Sequence, residues 1–188
     1  SVLDELRVNV ERYDLHELKS GITALPQTIN DADAIIIAGT IEWYGIGGYI
    51  PSFLDACWLY GDKAKISETY MFPIVMSKAY GEKEKHAELM NAWEILGGKS
   101  CTGIAAYVPE TMDFDMNDDY RQVIEKKAEE IYRTVSQKYV MLPTSNKVIK
   151  QNMVRDTINL TPQETEQLSK YASNDDYVKK QKEDIEEL

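Results

Sequence analysis

Two hydrophobic patterns take turns along this chain. One is the short unbroken run. Asp33 is followed by Ala34-Ile35-Ile36-Ile37-Ala38-Gly39 with no polar interruption, which predicts a strand over 34–39 buried on both faces, as in a parallel sheet. Tyr70 to Met76 and Cys101 to Val108 read as two further strands of the same kind. Val8 and Val10 alternate with Asn9 and Glu11, and Tyr13 and Leu15 follow. That alternation predicts a strand over 8–13. The other pattern repeats every third or fourth residue. Ile50, Phe53, Leu54, Cys57 and Trp58 form one such stripe, with Pro51 in the first turn. Leu89, Met90, Trp93 and Leu96 form another, which Gly97-Gly98 closes. Tyr120, Val123, Ile124, Ala128, Ile131, Tyr132, Val135 and Tyr139 predict a long amphipathic helix capped by Asn117 or Asp118. Val2, Leu3 and Leu6 predict the last turns of a helix, and residues 16–31 a connection with a short helix near 25–31.

Strands alternating with helices predict an α/β fold, a three-layer doubly wound parallel sheet covered on both sides. Beyond Pro143 polar residues dominate. Thr161-Pro162-Gln163-Glu164 is a helix start, with a hydroxyl cap, proline in the first position and a glutamate three residues on. Ser173-Asn174-Asp175 caps a last helix with Tyr177, Val178, Ile185 and Leu188 as its stripe. The expected organisation is therefore one domain over 1–142 and a helical extension over 143–188 with a role at an interface.

Charge narrows the function. The formal net charge of −11 repels a nucleic-acid backbone, so DNA and RNA binding are not expected. No apolar run approaches the ~20 residues of a membrane span, and no signal-peptide pattern opens the chain. Two cysteines, Cys57 and Cys101, both in apolar segments, read as buried thiols in a reducing, cytoplasmic setting. The two histidines, His16 and His86, lie far apart, and no His/Cys group has metal-ligand spacing. His86 is expected near the start of an amphipathic helix. The acidic stretch 110–115 lacks EF-hand spacing and reads as a solvated loop.

The candidate chemistry follows the strand at 34–39. Thr40, Ile41, Glu42, Trp43, Tyr44, Gly45, Ile46, Gly47 and Gly48 combine a hydroxyl, a carboxylate, two flat rings and glycines. Loops at the carboxyl ends of strands are where open α/β sheets hold ligands, and this set suits a flat heterocycle with polar edges. Trp43 and Tyr44 either flank such a ring or pack into the core or an interface. Glu42 either bonds a ring edge or caps the next helix. Lys78 and Tyr80, in the loop over 77–85, either bond a reduced ring or a substrate phosphate, or are solvated.

These residues, with Ile50-Pro51 and Asp55 after them, resemble the flavodoxin-like fold and most closely its NAD(P)H-dependent FMN reductase and quinone reductase family. Ile41 and Pro51 stand where that family usually has proline and lysine. The resemblance implies FMN as cofactor, NAD(P)H as co-substrate and a small-molecule electron acceptor. It implies flavin contacts from Thr40, Glu42, Trp43, Tyr44, Gly45 and Ile46, and from the second loop, Ser77, Lys78, Ala79, Tyr80 and Gly81. It implies no catalytic acid or base, because the flavin carries the chemistry, and a homodimer or higher homo-oligomer. An electron-transfer or partner-binding module, with or without flavin, is the alternative. The family's first strand and phosphate loop have no counterpart in residues 1–188. Strands at 8–13 and 34–39 then each lack a neighbour. Residues upstream of Ser1, direct pairing of the two strands, or a strand from the tail or another chain would each supply one.

Overall fold

Apolar runs and apolar stripes come together here as an α/β fold with a mixed, mostly parallel sheet. The structure, a computed structural model, describes residues 2–42, 45–109 and 118–139. The chain divides into two units, Ser1–Met141 and Leu142–Leu188. The expected tail helices, one starting at 161–164 and one capped by 173–175, lie outside the described residues. The elements are α1 (Val2–Glu5), α2 (Leu15–Leu18), α3 (Leu25–Thr28) between 3-10 turns at Lys19–Ala24 and Ile29–Asp31, β1 (Ala34–Glu42), β2 (Gly45–Ile46), α4 (Tyr49–Tyr60), α5 (Lys63–Glu68), β3 (Tyr70–Ser77), α6 (Glu82–Ile95), β4 (Lys99–Ser100), β5 (Ile104–Tyr107) and α7 (Asp118–Ser136).

β3 is the centre of the sheet. β1 lies parallel along one side, from Ala34 opposite Tyr70 to Ile41 opposite Ser77. β4 and β5 lie parallel along the other side, one after the other. β2 folds back antiparallel on the end of β1, with Ile41 opposite Ile46 and Glu42 opposite Gly45. Side chains of a strand alternate between faces, and β3 uses both. Met71 and Val75 join Ile37, Ile50, Phe53, Cys57, Ile66, Leu89 and Trp93 in the larger core cluster, under α4 and α6. Tyr70 and Phe72 join Cys101 and Ile131 in a smaller cluster, under α7. Trp93 is fully buried, and its indole N–H donates to the Thr69 carbonyl at 3.2 Å.

The fourth expected strand is split, and proline is the reason. Pro73 sits inside β3 and has no N–H for the ladder. Opposite it the outer strand carries one extra residue. Met71 pairs with Ser100, but Ile74 pairs with Ile104. This is a bulge between β4 and β5. Gly103 lies against the Pro73 backbone, where an added Cβ would sit 1.6 Å from the Pro73 carbonyl oxygen. Only glycine fits there.

Other expectations need correction. Residues 8–13 form no strand, and Val10 and Tyr13 are exposed. Alternation alone does not hold a strand that has no neighbour to bond. Direct pairing between 8–13 and β1 is thereby excluded. β1 is not buried on both faces either: Ile37 is 6% exposed, but Ile36 on the opposite face is 41% exposed. β1 runs on through Thr40, Ile41 and Glu42, which the sequence placed in a loop. Trp58, read as part of a core stripe, is 56% exposed, with the Lys63 ammonium 4.2 Å from its ring centre. Helix α5 was not anticipated. Asp62 caps it, accepting from the Ala64 and Lys65 N–H groups. Of the expected α7 stripe, Ile131 is buried while Val123, Ile124 and Tyr132 are exposed.

Candidate functional site

Parallel strands put their carboxyl ends on one side, and the register here aligns three of them. Ile41 of β1 lies opposite Ser77 of β3, and Ser77 lies opposite Tyr107 of β5. With neighbouring strands ~4.8 Å apart, the three ends span about 10 Å. Ser77 is 2% exposed. Its hydroxyl donates to Glu82 Oε2 at 2.7 Å, and its carbonyl accepts from the Val108 N–H at 2.7 Å. The hydrogen bond from Ser77 holds the Glu82 carboxyl below its usual range. The Tyr120 hydroxyl donates to the Tyr107 carbonyl at 2.6 Å and ties the start of α7 to the end of β5.

The two predicted loops meet at this end. The hairpin through Gly45 and Ile46 lies over Gly39, where an added Cβ would sit 2.6 Å from Ile50 Cδ1 and 3.2 Å from Ile46 Cγ1. From the second loop, Gly81 turns into α6 with a left-handed φ of 94°, and a Cβ there would sit 3.6 Å from Ile41 Cδ1. Thr40 is exposed on β1, and Lys78, Ala79 and Tyr80 are exposed beyond β3. Ser77 is the exception among the predicted contacts, because its side chain is turned inward to Glu82. Glu42 is described by its backbone alone, and Trp43 and Tyr44 lie outside the described residues, as do 110–117. Glu82, Tyr107 and Tyr120 border the same end and were not singled out from sequence. The only hint was position: each ends a strand or begins a helix.

Elsewhere the chemistry is plain. Cys57 and Cys101 are buried, and burial pushes the Cys57 thiol up to about 12. His16 meets the Tyr49 ring edge-on, with centres 5.5 Å apart. His86 lies in the first half of α6. Among the described residues no group of three or more His, Cys, Asp or Glu is placed to hold a metal ion. A shallow cavity of about 210 Å³ is lined by Lys126, Glu130, Arg133, Thr134, Gln137 and Tyr139. It lies at the other end of the sheet, since the Tyr139 carbonyl accepts from the hydroxyl of Tyr70 at the start of β3.

No protein-family model matches the chain, and no curated protein matches it. Among the described residues no helix is long and apolar enough to cross a membrane.

Proposed function

We propose that this chain is an FMN-dependent NAD(P)H oxidoreductase that passes hydride equivalents to a quinone, a flavin or another small acceptor. A flavodoxin-like, doubly wound arrangement and a homodimer belong to the same reading. The observation that carries it is the meeting of the 40–48 and 77–82 loops at the aligned carboxyl ends of β1, β3 and β5. Ligands of open α/β sheets sit in that position.

The residues there suit the ring end of FMN. Gly47 and Gly48 have open space where a Cβ would be, so a flat ring can approach their backbone. Thr40 offers a hydroxyl, Lys78 an ammonium and Tyr80 a phenol on the exposed side. The segment also carries, by sequence, the flat rings of Trp43 and Tyr44 and the carboxylate of Glu42. Gly45, Ile46, Ala79 and Gly81 contribute backbone. Ser77 acts indirectly, fixing Glu82 and so the start of α6. Bound flavin accepts hydride from NAD(P)H and returns it to the acceptor. The chain's own share is to hold two rings together and to keep a positive charge, that of Lys78, beside the ring that becomes electron-rich.

Titrating FMN into the purified protein tests this. Saturable quenching of flavin fluorescence is expected, together with oxidation of NADH or NADPH that needs both FMN and a quinone. Unchanged fluorescence and no oxidation would contradict the reading. The net charge of −11 supports a second one, an electron-transfer module that docks a basic redox partner. In that case flavin binds, but NAD(P)H is not consumed.

A further inference from the structure

A single peptide unit on the outer edge of the sheet is gripped at both ends by side chains. The bulge opposite Pro73 turns the Thr102–Gly103 peptide out of the regular ladder. Its N–H donates to Nε2 of His86, on α6, at 3.1 Å. Its carbonyl accepts from the Lys127 ammonium, on α7, at 3.1 Å. The Gly103 N–H is partly buried, where a donor without a partner is costly, so the imidazole replaces the bond that the interrupted ladder withholds.

We propose that His86 is a pH-operated latch: its neutral ring holds the Thr102–Gly103 peptide in the bulge, and protonation releases it. An imidazole accepts only through an unprotonated nitrogen. The bond from Gly103 therefore sets the tautomer, with the proton on Nδ1. Imidazolium has two donors and no acceptor, so it faces the Gly103 N–H donor to donor. The charge that bears on it most is a like one. α7 presents Lys127, whose ammonium is also 2.5 Å from Glu130. The bulge contributes the buried thiol of Cys101. On α6 the nearby charges are Glu82, bonded to Ser77, Lys83, Glu84, and Lys85, paired with Glu88. Burial first and the Lys127 charge second hold His86 below its ordinary value of 6.5.

The latch has a direction of action. β5 runs from the bulge to Tyr107, which borders the candidate site. Release therefore loosens the outer strand whose far end, bonded to Tyr120, borders that site. The inference stands whether or not flavin binds there.

A pH titration of the full chain, labelled with 15N and followed by NMR, tests it. The His86 ring is expected to titrate with a midpoint below 6.5. The Gly103 amide proton should move upfield with the same midpoint, as its hydrogen bond is lost. In His86→Gln, whose side chain does not titrate, that movement should vanish. A His86 midpoint at or above 6.5, or a Gly103 amide that stays still while the ring titrates, would overturn the proposal. If His86→Gln does not fold, the wild-type titration alone decides.

Discussion

Ser77 and Glu82 show how one hydrogen bond organises a loop. A buried hydroxyl needs a partner, and Glu82, five residues on, supplies it at 2.7 Å. The bond favours the ionised carboxylate. Its stabilising effect is present above the ordinary carboxyl pKa of 4.5 and disappears as pH falls through the lowered value in the folded chain. In Ser77→Ala the Glu82 carboxyl should titrate higher, toward 4.5, as read by side-chain carboxyl NMR. An unmoved titration would mean that Ser77 does not hold it. For His86 the sign is the same, because its value too is lowered in the folded chain. The unfolded chain takes up the proton first, so stability falls as pH drops below 6.5. Thermal melts of wild type against His86→Gln should diverge in that range and agree above it. Neither contact was visible in the sequence. Glu82 looks like an ordinary loop carboxylate, and His86 meets a residue seventeen places away. Only the fold makes them neighbours.

At the scale of elements, the unbroken apolar runs were the dependable signal. Tyr70 to Met76 became the central strand because both of its faces are covered. The run at 34–39 became β1, yet only its Ile37 side reaches the larger core. Two substitutions separate the faces. Ile37→Ala should destabilise by about 2–5 kcal/mol, and Ile36→Ala by clearly less, as measured by denaturant unfolding. Equal costs would mean that Ile36 is covered in solution. Trp93→Ala should cost about 3–5 kcal/mol, since it empties a fully buried site and removes one of the two hydrogen bonds to the Thr69 carbonyl. The errors share a physical cause. A strand depends on its neighbours, so the alternation at 8–13 had nothing to pair with. A helix stripe does not say how far its partner extends, so Trp58 and Val123 look like core and are not. The bulge was hidden as well, although Pro73 and Gly103 were the residues that required it.

For the described molecule as a whole, the two clusters make a further claim. Cys57 belongs to the larger cluster and Cys101 to the smaller. Both thiols should resist alkylation in the native protein. In mild denaturant Cys101 should react before Cys57, because fewer buried contacts guard it. Simultaneous labelling would mean that the two faces open together. The α/β class was legible from element order, and the neighbourhood of Ile41 and Gly81 from their places after successive apolar runs. The antiparallel β2 and the inward turn of Ser77 were not, because both depend on contacts across the sheet. The claim that matters most is that a flavin ring sits at the joined ends of β1 and β3. The most direct measurement is the map of amide shifts produced by FMN in a 15N-labelled sample of the full chain. The largest shifts should fall on Thr40, Gly45 to Gly48 and Ser77 to Gly81. Shifts confined to α7 or to the amino ends of the strands, or no shifts at all, would contradict it.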